Sequence, residues 1–449
     1  MTASLPVYDG PFGPAQAERL LWRAGFGPRP AEARRLAALG LTGAVRSLVY
    51  PGAERLIGKP PRDQKGRPLA PKDQWGHDHL WWLDKMVRTS RPLVERMTLV
   101  WHDWFATSND GVGSQRLMLR QNALFRRAGL ASFHTLFEAV AIDPAMLLYL
   151  SGIENEREAP NENFGREMME LFSLGAASGY TEDDVREQAR ALTGWTARYR
   201  NGYGWTDFRF EAKRHDPSFK VIFGKSGKFG WRDSVRLCVQ HPAHAGFFVR
   251  KLWGYFVPVD PDAETQAGLE QLYVRNKLQI RPVVGAILRH PLLYEGPSMP
   301  KSPVVYTAGL LRRLGQRIDR EDWIWLCAQA GQQLFYPPNV SGWDESRWYD
   351  TSTFLARWRI AATALDRYAY DPGKAKRRVP PTAAAIVDTA LDFWHRPPVS
   401  SQTQNALTSF AARTVAAAGS EEWKLKAYPL MAVNGARHLI AVSPELQTA

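Results

Sequence analysis

Cysteine is nearly absent from this chain. Cys238 and Cys327 are the only two in 449 residues, and neither has a metal-ligand spacing. A disulfide framework and a thiolate zinc centre are therefore excluded as organising devices. Both cysteines sit in apolar runs, which predicts buried free thiols. Long hydrophobic runs are also missing. No stretch approaches 18 uncharged apolar residues, so no membrane-spanning helix is expected. Residues Met1 to Gly10 lack a basic start and an apolar segment, so the expected compartment is the cytoplasm. The sharp catalytic signatures are missing too. There is no Gly-x-Ser-x-Gly elbow, no Walker loop, no dinucleotide fingerprint and no His-Glu-x-x-His. Acidic residues are in short supply: 45 Asp and Glu stand against 58 Lys and Arg, a net charge of +13. That balance points to an acidic partner such as an anionic polysaccharide, an envelope polymer or an acidic protein. Nucleic acid is disfavoured, because charge and aromatics occur without a recognised binding module.

What is abundant is core material. The chain is 45% hydrophobic and holds 17 Trp, enough for a substantial interior. Helical period dominates the pattern. It predicts helices at 15–24, 30–48, 78–88, 92–106, 114–128 and 131–140, and again from 233–256 through 420–440. The fold class expected is all-α, a large multi-helix domain with a small β-hairpin-like excursion. One helical domain over 15–446 is expected, with loop insertions at about 52–75, 199–232 and 370–380. The last insertion carries Lys374, Lys376, Arg377 and Arg378. The middle one interleaves Tyr203, Trp205, Phe208, Phe210, Phe219, Phe223, Phe229 and Trp231 with Gly and basic residues. Phe208 and Phe210 alternate as in a hairpin.

Residues 161–195 concentrate charge. Asn161 is placed to cap a helix whose stripe is Phe164, Met168, Leu171, Phe172 and Gly175. Glu162, Arg166, Glu167 and Glu170 lie beside that stripe at three- and four-residue spacings. Thr181 and Asp184 approximate a capping box for a second helix carrying Glu187 and Arg190. Two readings stay open. One is a catalytic set of Glu162, Glu167, Glu170, Arg166 and Arg190 joined by His215 and Asp216, with a divalent metal on Glu167, Glu170 and His102. The other is an ion-pair network locking two helices together. The sequence places Glu167, Glu170 and Arg190 together between the helices. His102, between Trp101 and Asp103, fits a core hydrogen bonder as well as a ligand. His215-Asp216 lies in a loop, where function is more common, but Asp216-Pro217 also suits a turn. His77 and His79 straddle Asp78 without making a zinc pattern.

The stretch Asn161-Glu162-Asn163-Phe164-Gly165-Arg166-Glu167-Met168-Met169-Glu170-Leu171, followed by Gly179-Tyr180-Thr181 and Ala191-Leu192-Thr193-Gly194-Trp195, resembles the signature of a large bacterial family. That family is catalogued as a domain of unknown function, number eighteen hundred. Further landmarks match: Arg23 to Gly27, Trp101 to Ala106, His215-Asp216, His241-Pro242, Arg250 to Trp253, Lys301 to Val304 and Pro337 to Trp343. The resemblance runs from about residue 17 to about 446. It implies no established activity. Many relatives carry export signals and are associated with a sulfatase-like partner encoded alongside. Two functions follow as expectations. The first is a metal-dependent enzyme acting on an acidic polymer such as a polysaccharide. The second is a non-catalytic accessory protein for a sulfatase-like partner or an envelope polymer.

Overall fold

The computed structural model describes residues 5–371, 373 and 382–449. The basic segment holding Lys374, Lys376, Arg377 and Arg378 lies outside the described residues. Among those described, helices run from Pro14–Arg23 to Pro444–Gln447, and the β structure is two small antiparallel pairs. The all-α reading with a small hairpin is what the chain adopts. Among the described residues no helix is long and apolar enough to cross a membrane.

Two expected helices are each broken in two, for local reasons. Residues 30–48 form Glu32–Ala37 and Gly40–Val49. Gly40 takes φ +64° between them, a left-handed conformation that glycine adopts without side-chain penalty. Residues 233–256 form Trp231–Val239 and Ala243–Gly254. Pro242 cannot continue the ladder, and His241 Nδ1 instead accepts from the Ala243 N–H at 3.2 Å. Elsewhere period and caps set the boundaries, as at Pro92–Trp104, with Pro at its start, and Gln115–Ala128, capped by Ser114.

The excursion holds two ribbons. Trp195–Arg200 pairs with Gly204–Phe210, Tyr199 opposite Trp205 and Trp195 opposite Phe210. Lys220–Ile222 pairs with Lys225–Gly227. Two large apolar clusters lie beneath the helices, and a small third one joins Ala191, Ile222 and Leu237. One large cluster gathers Trp101, Trp104, Phe105, Phe133, Phe172 and Phe248; the other gathers Trp82, Tyr306, Trp323 and Trp394. Helix Pro92–Trp104 supplies residues to both, Trp101 to the first and Leu99 to the second. It therefore runs where the two clusters meet. Cys238 and Cys327 are buried free thiols.

Candidate functional site

The two helices of the 161–195 hairpin meet closely because Gly165 has no side chain. A Cβ there would stand 3.1 Å from Ala189 N and 3.3 Å from Val185 O. The first helix spans Glu162–Met169 and is capped by Asn161, whose side chain accepts from the Asn163 N–H. The second spans Glu182–Ala191 behind the Thr181–Asp184 capping box.

Its charges sort into two separate sets. Arg166 bridges Glu162 at 3.2 Å and Glu182 at 2.8 Å, with all three side chains at least a third exposed. Arg190 donates to Glu187 and to Asp216, each at 2.7 Å, and to the Phe219 carbonyl at 3.2 Å. The expected meeting of Glu167, Glu170 and Arg190 does not occur. Arg190 turns to the excursion, where Asp216 is offered by a chain segment that the helix pattern could not place. Glu167 and Glu170 enter no ion pair among the described residues. Burial, and then the neighbouring Glu170 charge, raise the Glu167 carboxyl above its ordinary range.

His215 and Asp216 tie the excursion down. His215 Nδ1 lies 3.0 Å from the Thr193 carbonyl and donates to it; burial lowers this imidazole's pKa. Asp216 feels burial pushing its pKa up. Hydrogen bonds from Ser218 and Arg190, with the Lys220 charge, outweigh that and hold it well below the carboxylate range. His102 is elsewhere. Its Nε2 accepts from the Phe335 N–H at 3.2 Å, its ring packs against Trp82, Phe335 and Trp343, and burial lowers its pKa to about 3. It does not join Glu167 and Glu170. Among the described residues no three His, Cys, Asp or Glu side chains gather as a metal site.

After Met169 the first helix widens into a π-turn, Glu170–Leu174, which frees carbonyls from the regular ladder. Three successive ones are satisfied from other helices. Lys251 Nζ donates to Leu171 O at 2.8 Å, Trp104 Nε1 to Phe172 O at 3.0 Å, and His244 Nδ1 to Ser173 O at 2.9 Å. Lys251 also lies 4.5 Å over the Trp104 ring. Burial lowers its pKa to about 8, against the opposing pull of Asp103.

Asp103 leads to a site that the sequence reading passed over in favour of its neighbour His102. Arg96, Leu99, Val100 and Asp103 share one face of helix Pro92–Trp104 and line a recess with Tyr255, Ser302, Trp343, Glu345 and Trp348. The space for water centres is about 30 Å³, room for roughly two waters. Asp103 accepts from Tyr255 Oη at 2.7 Å and from the Trp343 N–H at 2.9 Å. Gly342 makes the second bond possible: at φ +92° a Cβ would lie 2.9 Å from Asp103 Cγ. Burial raises the Asp103 pKa, with both hydrogen bonds and the Lys251 and Arg96 charges opposing. Glu345 is solvent-exposed yet ringed by protein at the mouth of the recess. Protein packed around its carboxyl, then repulsion from Asp103, raise its pKa, while Arg96 and the solvent that reaches this exposed side chain oppose the rise. Arg96 is partly exposed; its guanidinium enters no salt bridge among the described residues, its Nε is covered and unpartnered, and its charge interacts with Glu345 and Asp103. Burial lowers its pKa to about 10, so it remains a cation at neutral pH.

Three of the sequence landmarks contribute here: Trp101 to Ala106 through Asp103, Lys301 to Val304 through Ser302, and Pro337 to Trp343 through Gly342 and Trp343. A trace was present in the sequence. Arg96 and Asp103 are charges seven residues apart on an otherwise apolar helix face. Nothing in the sequence signalled Tyr255 or Glu345 as their partners.

The family described as Protein of unknown function (DUF1800) matches residues 19–448. No curated protein and no solved structure matches the chain.

Proposed function

We propose, from the premise that this chain belongs to the family of proteins of unknown function DUF1800, that it is an acid–base enzyme centred on Asp103 and Glu345. One observation carries the reading. Two carboxyl groups with raised pKa values share a recess with an unpaired guanidinium. Carboxyls in unequal surroundings separate into a proton donor and a proton acceptor. Glu345, its carboxyl pushed upward beside Asp103 and still reached by solvent, is placed to exchange protons. Asp103 is held in place by Tyr255 and the Trp343 backbone. The hairpin carboxylates serve this reading less well. Glu162 and Glu187 are engaged by arginines, and Asp216 anchors the excursion. A divalent metal on Glu167, Glu170 and His102 has no support in their placement.

The test is turnover of a chromogenic panel of carboxylic, phosphate and sulfate esters and glycosides by wild type, Asp103→Asn and Glu345→Gln. Wild-type activity that depends on pH, lost in both variants, is the expected result. Activity retained by both variants would remove the recess from the chemistry.

A second reading has its own observation. Tyr199, Tyr203, Phe210 and Phe219 are exposed on the excursion, beside Arg198, Lys225, Lys228 and Arg232, which enter no salt bridge among the described residues. Rings and cations without acidic partners suit an anionic polysaccharide, and Lys228 and Arg232 already lie over the Phe219 and Trp231 rings. On this reading the chain is a binding accessory, and the sulfatase-like partner suggested by the family resemblance would act on the polymer it holds. An inactive wild type that binds such a polymer favours this second reading.

A further inference from the structure

Four residues that line the Asp103 recess each carry a covered hydrogen-bond donor without a partner: Arg96 Nε, Ser302 Oγ, Trp343 Nε1 and Trp348 Nε1. Ser302, Trp343 and Trp348 are each more than nine-tenths buried. Leaving a buried donor unsatisfied costs stability, and a buried unpaired charge costs more. The buried arginines of the fold use most of their donors, although Arg23 and Arg437 also leave Nε unpartnered. Arg23 donates to the Phe256 carbonyl, Arg312 to Gly27 O and Glu32, and Arg357 to Trp348 O, Lys301 O and Gln447. Asp103, beside Arg96, makes no hydrogen bond to it; its two oxygens accept from Tyr255 and the Trp343 N–H.

A ligand that answers this set must accept from several directions at once and carry negative charge. An oxyanion does both. Its oxygens accept in a fan, and guanidinium matches such groups in geometry and charge. The narrow space admits only a small head, and the exposure of Glu345, one of the lining residues, leaves the rest of a ligand room outside. We propose that the recess binds the oxyanion head of a ligand, a carboxylate, sulfate or phosphate, on Arg96 with Ser302, Trp343 and Trp348 as further donors. This rests on the reading of the recess as the reactive centre, and it names what that centre grips: the substrate's acidic group, set beside Asp103 and Glu345.

The experiment is calorimetric titration of the full chain with sodium acetate, sulfate and phosphate at constant ionic strength, chloride serving as the balancing ion. Wild type should bind at least one of the three saturably, and the three arms identify which oxyanion is preferred. Arg96→Gln should weaken that binding at least tenfold, Arg96→Lys should restore part of it, and Trp348→Phe should weaken it by a smaller factor. Circular dichroism melts establish that each variant is folded; Trp348→Phe carries the test if Arg96→Gln is not. No saturable binding of any of the three anions, or equal binding by wild type and the folded variants, overturns the proposal. Asp103→Asn separates the two readings. Anion binding with turnover unaffected by Asp103→Asn would defeat the acid–base role alone. Turnover lost in Asp103→Asn with no anion binding by wild type would defeat the oxyanion site alone.

Discussion

Removing Arg190 should destabilise the protein more than removing Arg166, although both are arginines of one helical hairpin with two acidic partners each. Arg166 is 36% exposed, and its partners Glu162 and Glu182 are 40% and 64% exposed. Exposed pairs contribute about 0.2–1 kcal/mol, because water screens them and two long side chains must be ordered. Arg190 is 26% exposed, against 21% for Glu187 and 12% for Asp216. Breaking a fully buried pair costs about 3–5 kcal/mol. The partial exposure of Arg190 places its loss between these limits, at about 2 kcal/mol. Unfolding entropy near 2.1 cal/mol/K per residue over 449 residues amounts to about 1 kcal/mol/K. Arg190→Ala should therefore lower Tm by about 2 °C, and Arg166→Ala by under about 1 °C. A sharper signal is local. Arg190 joins the second helix to Asp216, Ser218 and Phe219. Its loss should loosen the excursion and speed tryptic cleavage at Lys213 and Arg214, while Arg166→Ala leaves cleavage unchanged. Equal Tm losses and equal cleavage rates for the two variants would refute the assignment of Arg190 as the anchor.

Gly342→Ala should cost about 2–4 kcal/mol in chemical denaturation, since it adds left-handed strain and a contact with Asp103; a loss below about 0.5 kcal/mol would show that the two segments do not approach so closely. His102, held neutral with a pKa of about 3, gives a pH test. Above about pH 6.5 its imidazole is neutral in folded and unfolded chains alike. As pH falls from there toward 3, the unfolded chain takes up a proton that the fold refuses. Wild type should then lose stability relative to His102→Gln by of order 1 kcal/mol per pH unit, and parallel stability curves for the two proteins would count against a buried neutral His102.

Much of the fold was legible in the sequence because helices are local. Period 3.6, proline at first turns and polar caps are read within a dozen residues. That is why Pro92–Trp104 and Glu182–Ala191 fall where expected. The breaks at Gly40 and Pro242 carry local signals as well, weaker than the apolar stripes running through them. The hairpin's charges were visible, but their partners were not. Spacing on a helix says which side chains are neighbours: it set Arg166 one turn from both Glu162 and Glu170, and the bridge forms to Glu162. It could not know that Asp216 would arrive beside Arg190, because only the folded path of the excursion brings it there.

The sequence by itself determined the helical class, the aromatic excursion, the buried thiols and the family. Each of these rests on short-range pattern or composition. Tertiary structure alone decided the candidate centre. Asp103 meets Tyr255 across 152 residues of chain and Trp343 across 240, and Glu345, just after Trp343, comes to the recess with that same segment. The raised carboxyl pKa values and the unpaired Arg96 are properties of that enclosure. They arise from removal of water and from charges set side by side, and neither exists until distant segments pack.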